Sequence, residues 1–229
     1  MAFQPIVDAS KRDIFAHEAL VRGPGGESAG SVFAHVDRSN LYRFDQSCRV
    51  KAITLAAQLD MQSRLSINFM PNAVYKPELC IRTTLHAARE SGFDVDRIIF
   101  EATEGERIDD QSHLRRIIEH YQAQGFATAI DDFGAGYAGL GLLAEFQPDI
   151  IKLDMALVRG IDTDRTRQAI VRGITWVCRE LDIRVIAEGV ETRDEYHALR
   201  DFGIELFQGY YFARPAFEAL ATVPDSLFD

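Results

Sequence analysis

ATAIDDFGAGYAGLGLLAEFQPDIIKLD, residues 127–154, is the stretch that decides the fold. An apolar run, Ala127 to Ile130, delivers two adjacent carboxylates, Asp131 and Asp132. A glycine-rich turn over 133–139 leads into a short apolar segment of helical character. A second apolar run, Ile150-Ile151, then delivers Lys152 and Asp154. Short apolar runs bounded by turn residues read as strands buried on both faces, and helical segments between them make the sheet parallel. The unit is strand, polar loop, helix, strand, with reactive side chains at the strand ends.

Outward from this unit the plan repeats. Toward the N-terminus, strands are predicted over 3–7 and 14–20, and the tight turn at 8–11 makes them an antiparallel pair. Ser31 is placed as the N-cap of a short helix over 32–37, and a longer helix is placed over 44–59. Further strands fall at 65–68 and 98–101, with helices over 78–91 and 111–124, each stopping at a glycine. Beyond Asp154, Thr163 or Asp164 caps a long helix reaching about 181. A strand over 184–187, a helix over 194–202, a short strand over 205–207 and a closing helix within 217–229 complete the prediction. Eight strands alternating with helices, with no proline- or serine-rich linker, indicate one closed α/β barrel over residues 1–229.

Composition narrows the class. The 229 residues are 47% hydrophobic and 26% charged, as in a soluble globular domain. No run approaches the roughly 18 apolar residues of a membrane span, and no signal peptide precedes the first strand. Cys48, Cys80 and Cys178 are scattered without a CxxC and read as reduced thiols in a cytoplasmic protein. The six histidines form no zinc-type cluster. A net charge of −10 disfavours a duplex nucleic-acid surface.

The strand ends carry the chemistry. Glu18, Asn68, Glu101, Asp131, Asp132, Lys152, Glu188 and Gln208 all stand where strands finish, and such ends converge on one mouth of a barrel. Five carboxylates meeting there repel one another unless cations neutralise them. All-oxygen ligands suit Mg2+ or Mn2+, and Asp131-Asp132 suits two ions side by side, as in metal-assisted phosphoryl displacement. Each residue also has a plainer reading. A lone acid at a strand end is commonly a helix cap, Lys152 serves equally as a structural salt bridge, and Asn68 as a turn residue. His17 precedes Glu18 in its strand and so faces the other side, as a packing residue. Gly134 to Gly139 also matches GxGxxG, which makes a dinucleotide-binding loop the competing interpretation. That alternative leaves Glu18, Asn68, Glu101 and Glu188 without a role.

Three segments in this order, Glu18-Ala19-Leu20, Asp131-Asp132-Phe133-Gly134-Ala135-Gly136-Tyr137 and Ala187-Glu188-Gly189-Val190-Glu191-Thr192, resemble the EAL-domain family of cyclic di-GMP phosphodiesterases. The resemblance runs from Gln4-Pro5-Ile6-Val7 to Gln208-Gly209-Tyr210-Tyr211-Phe212-Ala213-Arg214-Pro215. It implies a TIM-like (β/α)8 barrel with one antiparallel strand, and hydrolysis of cyclic di-GMP to linear pGpG with two Mg2+ or Mn2+ ions. By position, it implies that Glu18, Asn68, Glu101 and Asp131 hold a first ion. Asp131 bridges to a second, bound by Asp132 and supported by Glu188. Lys152 contacts the attacking water, and Gln208 helps hold that arrangement. Glu104 matches a position that anchors the loop after Asp132. Gln4, Leu20, Arg22 and Pro215 fall where the family contacts the dinucleotide.

Departures from the family pattern sit in two loops. The first loop, Val21-Arg22-Gly23-Pro24-Gly25-Gly26, is short and glycine-rich, and resembles that of members coupled to flavin-based blue-light sensors. Ala135 stands where threonine is common, and Ala138-Gly139 where serine is common, in a loop the family ties to dimerisation and activity. The resemblance therefore implies a homodimer. The chain opens almost at its first strand, which suggests a minimal or excised output domain whose sensor lies outside it. A catalytically silent cyclic di-GMP-binding or interaction module is the alternative; no ligand residue is missing, which favours the enzyme.

Overall fold

The apolar runs form strands at every predicted place. The computed structural model of the protein describes residues 1–103, 111–135 and 139–229. Strands β1 (Ala2–Asp8) and β2 (Asp13–Leu20) form the antiparallel hairpin, with Gln4 opposite Glu18. From β2 the sheet continues in parallel through β3 (Arg64–Phe69), β4 (Ile98–Thr103), β5 (Ala127–Phe133), β6 (Ile150–Leu153), β7 (Arg184–Ala187) and β8 (Leu206–Phe207). β8 then pairs with β1 through Val7 and Phe207, which closes the ring. Because β1 runs against all the others, its N-terminal end lies at the mouth formed by their C-terminal ends.

Side-chain alternation splits the apolar residues into two cores. One face of each strand points outward under helices α2 (Leu41–Gln58), α3 (Pro77–Ser91), α4 (Gln111–Ala123), α7 (Arg165–Glu180) and α8 (Arg193–Asp201). Leu65, Ile67, Phe69, Ile98, Phe100, Ile130, Ile151 and Leu153 belong to that outer core. The other face fills the barrel. Ile6, Ala16, Ile99, Ala129, Ile150, Ile186 and Leu206 make a separate, fully buried cluster inside it. At roughly 25 cal/mol per Å² of apolar surface, these two cores are the main stabilising term.

Short helices α1 (Ala29–Phe33) and α6 (Met155–Val158) follow the mouth ends of β2 and β6, and α5 (Gly139–Glu145) links β5 to β6 with Leu142 and Leu143 in the outer core. No described helix is long and apolar enough to cross a membrane. Two predicted details are corrected. Ser28, not Ser31, caps α1: its hydroxyl accepts the Ser31 N–H at 3.3 Å, so the helix starts a turn earlier. The C-terminal segment is not a closing helix. Ala216–Phe217 form a short strand, β9, on β1, and a 3-10 turn, Asp225–Phe228, follows Pro224. Phe228 is the reason: its ring is buried 5.9 Å from Phe212, and one inserted aromatic anchors a turn where no amphipathic helical face exists.

Candidate active site

Seven of the eight barrel strands, all but β3, repeat one local rule. The residue two positions toward the mouth from each inner apolar residue is polar. Ala16 is followed by Glu18, Ile99 by Glu101, Ala129 by Asp131, Ile150 by Lys152, Ile186 by Glu188 and Leu206 by Gln208. On the reversed strand β1, Ile6 is preceded by Gln4. A spacing of two keeps a side chain on the same face. The polar ring therefore lies directly above the apolar plug.

Lys152 stands at the centre of that ring and is fully buried. Its Nζ lies 2.7 Å from Glu188 Oε1, 2.8 Å from Glu101 Oε2, 3.1 Å from Asp131 Oδ1 and 3.4 Å from Glu18 Oε2. Amides and a hydroxyl fix the carboxylates from the side. Asn68 donates to Glu18 Oε1 at 2.7 Å, Gln208 to Glu18 Oε2 at 2.7 Å, and Ser66 to Glu101. Gln208 also reaches Gln4 Oε1 at 3.3 Å, and Gln4 donates to the Ala213 carbonyl at 3.2 Å, which ties the loop before Pro215 to the ring.

Adjacent residues of a regular strand face opposite ways, so Asp131 and Asp132 need a break in β5 to share one site. The register supplies it. Ile130 pairs with Ile151 and Phe133 with Leu153, so Asp131 and Asp132 together oppose Lys152 alone. This is a bulge, rare in parallel pairing and typical of active sites. Asp132 takes a left-handed φ of 55°, an unusual conformation for a residue with a side chain, and its N–H donates to Asp131 Oδ1 at 3.0 Å.

Glu188 is positioned by the loop beyond β7. Its N–H donates to the Leu153 carbonyl, and Val190 N–H donates to the Gln208 carbonyl. Gly209 permits this crossing: a Cβ there would lie 2.0 Å from the Val190 oxygen. Downstream, Thr192 and Glu195 form a capping box on α8, and Glu195 also accepts the Glu191 N–H.

The electrostatics show a site with too much negative charge for its protons to leave freely. Burial pushes the Glu101 carboxyl up to about 8, against the pull of Lys152. Burial likewise holds Glu188 well above the usual carboxylate range. Burial and the charges of Asp131 and Asp154 raise Asp132 to about 6. Asp131 goes the other way: burial opposes its ionisation, but the charge and hydrogen bond of Lys152 overcome it. Lys152 stays protonated despite its burial, because the surrounding carboxylates hold its ammonium well above the usual range.

One ammonium faces five carboxylates, and this donor set fits hard cations. Ligand oxygens of Glu18, Glu101 and Asp131 lie within 4.8 Å of one another, as do those of Asp131, Asp132 and Glu188. The two groups share Asp131. The carbonyl oxygen of the buried Gln208 side chain has no hydrogen-bond partner, a further acceptor facing this ring's network.

The remaining expected residues are placed as follows. Leu20, the last residue of β2, and Arg22, just past it, are half-buried, and Arg22 donates to the Val21 carbonyl at 2.7 Å. Pro215 is half-buried beside β9. Glu104 lies outside the described residues. Asp154, beyond β6, caps α6 by accepting the Ala156 N–H at 2.7 Å. His17 is buried on the outer face of β2, with Nδ1 2.8 Å from the Ser63 hydroxyl, as predicted for a packing residue. Ser66 and the β5 bulge were not anticipated. Ser66 was findable, since it lies two residues before Asn68 on the same face.

Comparison with known proteins gives a consistent identity. The family model described as EAL domain matches residues 1–215. The blue light- and temperature-regulated antirepressor BluF of Escherichia coli (strain K12) is 35% identical over 225 residues, covering 97% of this chain and 55% of that protein. A standalone versatile EAL protein from Vibrio cholerae O395, solved in its c-di-GMP bound form, superposes with a TM-score of 0.97 at 53% identity, over 100% of this chain and 97% of that one. Klebsiella pneumoniae BlrP1, solved as a manganese/cyclic di-GMP complex, superposes at 0.92 and 39% identity, over 97% of this chain and 57% of that one. The chain spans between 21% and 55% of the length of the first curated relatives it matches. With the antiparallel first strand, the polar ring and the EAL tripeptide at the end of β2 all in place, the chain belongs to the EAL domain family.

Proposed function

We propose that this domain hydrolyses cyclic di-GMP to linear pGpG, using two divalent cations, Mg2+ or Mn2+, held by the polar ring. The observation that carries this reading is the pair of carboxylate groups sharing Asp131. Relatives solved with cyclic di-GMP, one of them with manganese, support the ligand and the metal class. Glu18, Asn68, Glu101 and Asp131 would hold one ion; Asp131, Asp132 and Glu188 would hold the other. When bound, such a pair supplies Lewis-acid chemistry, neutralising phosphate charge and acidifying water.

The chain's own residues do the rest. Lys152, already charged and fixed by its carboxylate neighbours, orients the attacking water and offsets charge developing on the phosphate. Gln208 keeps Glu18 aligned through its 2.7 Å hydrogen bond. Gln4, Leu20, Arg22 and Pro215, around the mouth, receive the dinucleotide, with Arg22 swinging from the Val21 carbonyl to a phosphate. Water adds to phosphorus, one P–O ester bond breaks, and the proton ends on the departing ribose hydroxyl. Asp131→Asn removes the shared ligand. It should lower turnover by at least two orders of magnitude while circular dichroism stays native. Turnover within threefold of wild type would overturn this assignment.

The similarity to an antirepressor makes binding without hydrolysis the second reading. It predicts tight cyclic di-GMP binding and no pGpG at saturating Mn2+. We further read residues 1–229 as a single domain that pairs with a second copy. The exposed Trp176 of α7 offers the dimer an apolar contact. Trp176→Glu should then shift the sedimentation coefficient to that of a monomer. A sensor supplied from outside this chain fits the partial coverage of longer relatives, and three free thiols fit the cytoplasm.

A further inference from the structure

Among the described residues the largest fully buried side chain is a charged one, Arg49 of α2, and nothing in the proposed chemistry uses it. Its Nη2 lies 2.7 Å from Asp45 Oδ2, one helical turn earlier, and its Nη1 donates to the Tyr121 hydroxyl of α4 at 3.0 Å. Neither partner of the ion pair reaches water. Such a pair is costly to bury, and apolar side chains of similar volume commonly stabilise as well or better. Its location suggests what it does instead.

The guanidinium carbon sits 5.5 Å from the Phe69 ring centroid and 5.1 Å from that of Phe100. Phe69, the last residue of β3, and Phe100, in the middle of β4, both point outward. Their immediate neighbours on the inward face are Asn68 and Glu101, which pair across the two strands. Arg49 thus packs directly behind two of the proposed metal ligands. Asp45 acts on the same strand end. The β3–β4 pairing stops at Phe69 and Ala102, which leaves Met70 without a sheet partner. Asp45 Oδ1 takes the Met70 N–H at 3.0 Å. The end of β3 is therefore gripped at its backbone by Asp45 and at its outer ring by Arg49, while Asn68 turns its amide to Glu18.

We propose that Asp45, held in place by Arg49, is a positioning residue for the metal site: through the Met70 N–H it fixes the end of β3 and with it Asn68. This rests on the reading of the polar ring as a divalent-cation site. The role is separate from stability, because the ion pair can be removed with or without the acceptor for Met70. Arg49→Met with Asp45→Asn takes away both charges and keeps an oxygen at the Asp45 position. Arg49→Met with Asp45→Leu takes away both charges and the oxygen.

The test is a calorimetric titration of each metal-free protein with Mn2+ alone, alongside its thermal midpoint. The wild-type protein should bind Mn2+, and the asparagine pair should bind within about threefold of it. The leucine pair should bind at least tenfold more weakly at a comparable thermal midpoint. In an Asn68→Ala background the asparagine and leucine pairs should bind alike, since the ligand they position is gone. If the leucine pair does not fold, Asp45→Ser, whose hydroxyl is too short to reach Met70, takes its place with the same expected loss. Equal Mn2+ affinity in the two pairs, with wild-type binding intact, would overturn the positioning role alone. A wild-type protein that binds no Mn2+ would overturn the metal reading, and this inference with it.

Discussion

Two layers of the same barrel, one above the other, are built on opposite principles. The lower layer, Ile6, Ala16, Ile99, Ala129, Ile150, Ile186 and Leu206, is apolar and fully buried. The upper layer, two residues along the same strands, gathers Glu18, Glu101, Asp131 and Glu188 around Lys152. The lower layer stabilises the fold by burying apolar surface. The upper layer is strained electrostatically, with Glu101 and Glu188 held far from their ordinary titration range. The contrast teaches that one strand can serve both ends: the apolar residue fixes the register, and the register delivers the charge to the mouth. Stability and chemistry should then be separable by mutations only two residues apart.

The sharpest way to break the contrast is Lys152→Met, which leaves the buried carboxylates with no counter-charge. Metal-free protein should lose about 3–5 kcal/mol, the cost of orphaning a buried ion pair. For a chain of this size that is a fall of roughly 10 °C in thermal midpoint, and saturating Mn2+ should recover part of it. A midpoint unchanged in EDTA would show that the ring is not electrostatically strained. In the lower layer, Ile186→Ala should cost about 2–4 kcal/mol in urea unfolding through lost burial and a cavity. Its Mn2+ affinity should stay within threefold of wild type. A larger loss of metal binding would mean that the layers are not separable.

His17 tests the barrel wall outside both layers. Burial lowers its pKa to about 4 from 6.5. A lowered value means that the unfolded chain takes the proton first. Its stabilising contribution is complete above about pH 6.5 and is lost as the pH falls toward 4. Relative to His17→Gln, the wild type should lose about 2.5 kcal/mol more between pH 7.5 and 4.5 in chemical unfolding. The smallest effect has the opposite sign. Glu188→Gln replaces a buried carboxyl by a neutral group of the same shape, and should raise metal-free stability by about 1 kcal/mol while abolishing turnover. A destabilised Glu188→Gln would show that this carboxylate serves the fold rather than the site.

Much of this was legible in the sequence for a physical reason. Buried parallel strands are short unbroken apolar runs, and a barrel's strand ends converge wherever they lie in sequence. Glu18, Glu101, Lys152 and Glu188 therefore announced themselves as polar residues closing apolar runs. Asp131 and Asp132 did so only in part. Their pairing on one side depends on a bulge and on a left-handed Asp132, and no local signal marks an extra residue inside an apolar run. The Arg49–Asp45 pair was hidden for a different reason: on a helix of mixed polarity, a buried arginine has the same sequence signature as an exposed one. The C-terminal turn was misread because a single buried ring, Phe228, decides it.

The most direct test of the central claim, that the upper layer is a two-cation phosphodiesterase centre, is a chromatographic time course. Purified protein would be incubated with cyclic di-GMP in Mn2+, in Mg2+ and in EDTA. The account predicts linear pGpG accumulating with either cation and intact substrate in EDTA. Product forming equally in EDTA, or no product with cyclic di-GMP demonstrably bound in Mn2+, would contradict it.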